Sequence, residues 1–145
     1  MKYLNAINGY IFRLTGHRNF IITAKKHVAG LISYVYNSHL NIVDADKYDH
    51  RAFHEFSHFI EANDKNILLP NYGLEYGSSD AWEREAEVSK IETSLLSNTF
   101  FVGYVDKSYS YKSSVKPSFI SQDILEAKII HNVTLVKRFS HLSII

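Results

Sequence analysis

The chain has 145 residues, the size at which one hydrophobic core forms, so a single domain spanning 1–145 is expected. Hydrophobic residues make up 46% and aromatics 14%, which excludes disorder over most of the length. Cysteine is absent, which excludes disulfides, thiolate metal sites and a Cys nucleophile and leaves His and carboxylate to hold any metal.

Leu4, Ile7, Ile11 and Leu14 recur at helical spacing and Gly16 can end the element, so residues 3–15 are predicted to form a first helix. Thr23 can cap a second, in which Ala24, Val28, Leu31, Ile32 and Val35 form one apolar stripe through residue 36. Leu40 to Val43 is a short apolar run before Asp44-Ala45-Asp46 and reads as a strand. Helical spacing returns over 48–62 through Phe53, Phe56 and Ile60, and Pro70 and Gly73 force an ordered loop after it. Asp80 with Glu83 has the spacing of a capping box and opens an acidic helix through residue 96, with Val88, Ile91 and Leu95 as its apolar positions. Residues 106–118 are mainly Ser, Lys and Tyr and suit a surface connection, after which Ser121 caps a last helix. The expected fold class is α+β, mostly α.

No apolar run reaches the ~20 residues of a membrane span and the N-terminus lacks a signal-peptide stretch, so a soluble cytoplasmic chain without a membrane partner is expected. The net charge of +1 conceals a balance of −6 over residues 54–92 and +7 elsewhere. An acidic middle third suits a cation site better than a phosphate-binding face, and its plain alternative is a solvated helix surface. Lys25-Lys26 and Lys137-Arg138 are short basic pairs of the kind that line solvated helix faces, so a nucleic-acid partner is not expected. Phosphate-loop, dinucleotide-binding and nucleophile-elbow motifs do not occur.

The sharpest feature is His54-Glu55-Phe56-Ser57-His58, an H-E-x-x-H sequence on a predicted helix. Histidines four apart project from one helix face, so both imidazoles can bind one divalent ion, and the intervening Glu can act on a ligand of that ion. Phe53, Phe56, Phe59 and Ile60 surround the motif and would embed it in a low-dielectric setting. Catalytic zinc sites take three protein ligands, and non-haem iron sites take two His and one carboxylate. The third ligand is therefore an oxygen, with Glu85 the first choice and Glu87, Glu83 and Glu92 competing on the same helix. His50, one turn before His54, is the other histidine placed to join the site; the remaining five are scattered. Tyr72 and Tyr76 flank Gly73 in the following loop, where a phenol could donate to a developing oxyanion or hold substrate, unless the two rings simply pack beneath the loop.

Taken with Ala52 to Ala62, the stretch Leu68-Leu69-Pro70-Asn71-Tyr72-Gly73-Leu74-Glu75-Tyr76 and then Glu85-Ala86-Glu87-Val88-Ser89-Lys90 resembles the bacterial elongation factor P hydroxylase family over about residues 48–95. H-E-x-x-H followed by Glu-Ala on the next acidic helix is also similar to minimal zincins such as the ImmA/IrrE-type peptidases. The resemblance implies a small zincin-like domain with the H-E-x-x-H helix crossing the acidic helix. It implies His54, His58 and Glu85 or Glu87 as ligands of Fe(II) or Zn(II), with Glu55 as acid/base or supporting group. It further implies hydroxylation of a side chain on a protein substrate such as a translation factor. Zinc-dependent peptide hydrolysis is the alternative, and a non-catalytic interaction protein on the same scaffold is the second alternative.

Overall fold

The structure is a computed structural model, and it describes residues 2–18, 52–67, 69–74, 77–101 and 120–140. These residues form four α-helices, α1 (Lys2–Thr15), α2 (Ala52–Glu61), α3 (Ala81–Leu96) and α4 (Gln122–Ser140), with a 3₁₀ turn at Pro70–Gly73. The described residues are mostly helical, and no strand occurs among them. The helix expected through residue 36, the strand expected at Leu40–Val43 and the connection 106–118 lie outside them, as do His50 and Tyr76.

The centre of the fold is α2. Ala52, Phe53, Phe56, Phe59 and Ile60 are buried, and so are Glu55, Ser57 and His58. Burying each of the three phenylalanine rings is worth roughly 1.5–3 kcal/mol, which offsets the cost of taking Glu55 and His58 out of water. The most extensive contact of α2 is with α3, and it also touches α1 and α4. Phe53 lies edge-on to Tyr3 of α1 at 5.4 Å and to Phe101 at 5.0 Å. Leu125, Ile129, Val133 and Val136 give α4 a buried stripe at helical spacing. From that stripe the buried Asn132 sends its Nδ2 to the carbonyls of Phe59 (3.0 Å), Ile60 (3.3 Å) and Ala62 (3.0 Å). The amide thereby satisfies carbonyls that the end of α2 leaves without intrahelical partners.

Helix ends follow the sequence in one case and depart from it in another. Gly16 has φ +78° and its N–H reaches the Phe12 carbonyl at 2.8 Å, closing α1. Asp80 precedes α3 with φ −96° and ψ −9° and makes no side-chain cap bond. Its carboxylate accepts from Ser78 Oγ at 2.9 Å instead, a donor two residues away that competes with the helix N–H groups.

Tyr10 of α1 anchors a polar network against α4 and the turn that follows α3. Its hydroxyl donates to Glu126 Oε1 (3.2 Å) and accepts from Asn98 Nδ2 (3.1 Å), which also reaches Gln122 Oε1. Burial, then the charge and hydrogen bond of Glu126, push the Tyr10 phenol up to about 12. The unfolded phenol ionises near ~10, so this contribution to stability is complete below that pH and is lost as pH rises toward the folded value. Wild type should lose about 2 kcal/mol more than Tyr10→Phe between those limits in urea unfolding. An equal loss in the two proteins would show that Tyr10 is not the group responsible.

Candidate metal centre

The register of α2 turns His54 and His58 to the side that faces α3. Their Nε2 atoms are 3.2 Å apart, and the rings meet edge-on with centroids at 4.8 Å. From α3, Glu85 brings Oε1 to 3.6 Å from His58 Nε2. One ligand atom from each of the three residues lies within 4.8 Å of the others. Bonds of ~2.0–2.1 Å around a tetrahedral ion require ligand atoms ~3.3 Å apart, so two edges already fit. Rotation of the Glu85 side chain, 35% exposed, can close the third. His58 is buried, His54 is 26% exposed at its side chain, and Glu85 is the most accessible of the three. The site therefore opens on the Glu85 side, where a substrate position would have to be.

Behind His54 stands Glu92, 1% exposed, with Oε2 at 3.2 Å from Nδ1. With a carboxylate accepting at Nδ1, the proton resides there and the Nε2 lone pair turns to the shared point. Burial opposes charge on His54, but the hydrogen bond and charge of Glu92, aided by Glu55 and Glu85, outweigh it and raise its pKa. His58 goes the other way, held down at about 3 by burial and then by His54 and Arg84. It is accordingly a neutral imidazole near neutral pH, as a metal ligand must be. Glu85 is raised above the usual carboxylate value by burial, with Glu61 adding and His54 and Arg84 opposing.

Arg84, next to Glu85 on α3, ties that helix to α2. Its Nε and Nη2 donate to Glu61 Oε1 (2.8 Å) and Oε2 (2.9 Å), a two-pronged pair across α2 and α3. Nη2 also donates to the Tyr72 carbonyl at 3.0 Å, tying the loop between the helices to both. The sequence reading did not single out Arg84, Glu61 or Asn132.

Among the candidates for third ligand, the structure brings Glu85 to the histidines and uses Glu92 behind one of them. Glu87 is exposed, lies 3.8 Å from Lys90, and lines a cleft of about 310 Å³ with Ile60, Ile91 and Leu125. Glu83 is exposed. Glu55 is 3% exposed and Tyr72 is 1% exposed, its ring 6.3 Å from that of Phe59. Of the other histidines, His131 pairs with Asp64 at 2.7 Å on the surface, and the backbone N–H of His17 donates to Thr15 Oγ1 at 3.3 Å.

Glu92→Gln keeps an acceptor for His54 but removes the charge, so zinc affinity, measured by competition with a chromophoric chelator, should fall about 10–100-fold with the fold intact. Unchanged affinity would show that the carboxylate does not orient the ligand.

Among the described residues no helix is long and apolar enough to cross a membrane. Comparisons with protein-family models, with curated proteins and with solved structures find no match to this chain.

Proposed function

We propose that this chain is a metal-dependent enzyme of zincin-like architecture, with the ion held by His54, His58 and Glu85, and that it hydroxylates a protein side chain. The observation that carries the metal reading is the meeting of two Nε2 atoms at 3.2 Å with a carboxylate oxygen at 3.6 Å. The hydroxylase reading rests on the resemblance of residues 48–95, three ordered segments being harder to match by chance than one pentapeptide. That resemblance also points to a translation factor as the protein substrate. When bound, zinc would lower the pKa of its water toward ~7, and iron(II) would keep positions open for dioxygen and substrate. Glu92 would orient His54 through the bond at Nδ1, Arg84 holds α3 against α2 beside Glu85, and the buried Glu55 would supply the acid/base or supporting carboxylate. Peptide hydrolysis is the second reading, favoured by the H-E-x-x-H motif, which on a helix most often serves metalloproteases.

The test begins with protein purified without chelator, whose metal is identified by anomalous scattering at the iron and zinc edges. Hydroxylation converts a C–H into C–OH, takes one oxygen atom from dioxygen, and reduces the other to water with two electrons from an external reductant. Protein loaded with Fe(II) and supplied with dioxygen and ascorbate should therefore add one oxygen atom to a basic or modified-lysine protein substrate, read by mass. Zinc-loaded protein should leave casein intact. Cleavage with zinc and no oxygen gain with iron would reverse the ranking. Neither activity would point to a non-catalytic interaction protein.

A further inference from the structure

Among the described residues, two buried side-chain polar atoms lack a hydrogen-bond partner, Asn132 Oδ1 and the hydroxyl of Tyr72. The Asn132 amide is already engaged through its Nδ2, whereas the Tyr72 phenol has no bond at all at its polar end. A buried hydroxyl in that condition is costly and calls for a cause.

The same residue carries a second cost. Tyr72 has φ +52°, in the left-handed region that disfavours bulky L residues, while Gly73 beside it at φ +68° bears that conformation without strain. Such strain persists only where the surroundings enforce it. Here they do: the Tyr72 N–H is bonded to the Leu69 carbonyl at 2.9 Å, and its own carbonyl receives Arg84 Nη2 at 3.0 Å. Arg84 is in turn forked onto Glu61. The ring, packed edge-on to Phe59, is thus fixed in place.

The charge felt at the phenol is that of Glu55. Burial, and then the Glu55 carboxylate, push the Tyr72 phenol well above its usual value, so it keeps its proton. Phe59 and Glu55 are four residues apart on α2, so the ring that packs on one lies along the face that carries the other.

We infer that Tyr72 is a positioning residue for Glu55, its O–H donating to a carboxylate oxygen of that residue when the metal centre is loaded. The inference rests on the metal reading proposed above. It assigns a cause to both costs at Tyr72: the strained backbone delivers the phenol to the carboxylate, and the unpaired hydroxyl is the donor held for it.

The test uses the sign of a stability change rather than turnover. In chelator, Tyr72→Phe removes a hydroxyl without a partner, so the variant should melt at or above the wild-type temperature. In saturating zinc the hydroxyl has its partner, so the zinc-induced rise in melting temperature should be about 3–8 °C smaller in Tyr72→Phe than in wild type. Combined with Glu55→Gln, the second substitution should add almost nothing to the deficit of the first. Zinc bound by both proteins with equal rises would overturn the inference and leave the metal centre standing. So would a Tyr72→Phe deficit of the same size with and without zinc, which marks ordinary packing. Wild type that takes up no zinc would overturn the metal reading and this inference with it.

Discussion

His58→Ala should abolish the response of the protein to zinc. His58 is 8% exposed and its Nε2 faces both His54 Nε2 (3.2 Å) and Glu85 Oε1 (3.6 Å), so removing the imidazole takes away the ligand common to both short edges. His54 and Glu85, on different helices, cannot replace it, because the ordering cost of the site stays while a bond is lost. Zinc affinity should drop by more than about 100-fold, beyond what loss of a supporting partner costs. At zinc about 100-fold above its dissociation constant, wild type gains about 2.7 kcal/mol, a rise of roughly 5–10 °C in melting temperature; the variant should gain none. Glu87→Gln, altering an exposed residue that lines a cleft instead of the site, should behave as wild type. An unchanged zinc response in His58→Ala would dismantle the metal centre.

The parts of this site legible in the sequence are those set by local register. Two histidines four apart on a helix face one way whatever surrounds them, and the bulky apolar residues between them announce that the helix is buried. The choice among Glu83, Glu85, Glu87 and Glu92 is different in kind. It depends on how α3 is rotated about its axis, which is fixed by burial of Val88, Ile91 and Leu95 and by the fork from Arg84 to Glu61, 23 residues back. Glu85 and Glu92 are seven apart and so share one stripe, which explains why the stripe that supplies a ligand from its first turns also supplies the carboxylate behind His54. Spacing alone leaves the four acids competing, and only the packing of α3 divides their roles.

Longer-range devices left weaker traces. Asn132 reaches the end of α2 across about seventy positions of sequence, and an isolated Asn in a helical pattern carries no sign of such a partner. Gly73 signals a break in the chain, but nothing in the residue type of Tyr72 predicts a left-handed backbone. At Asp80 the local signal itself was overridden, since Ser78 offers the carboxylate a nearer donor than the helix does.

The largest effect on turnover should follow from Glu55→Gln, which keeps the size of a side chain that is 3% exposed and removes its capacity to accept a proton. Because the residues that could hold the ion are His54, His58 and Glu85, zinc content and zinc affinity should stay within a few fold of wild type. If the chemistry is hydrolysis, Glu55 takes the proton of the attacking water and returns it to the leaving amine, so kcat should fall by about 10²–10⁴-fold while KM barely changes. If it is oxygenation, no such proton need pass through this carboxylate, and its part is to orient a ligand. The loss should then be smaller and should show as oxygen consumed without oxygen added to the substrate, since a misaligned target leaves the oxidising power to be discharged elsewhere. The two readings thus separate on one variant by comparing product formed with dioxygen consumed. Loss of the metal itself in Glu55→Gln would contradict both, and would make Glu55 part of the frame that holds His54 in place.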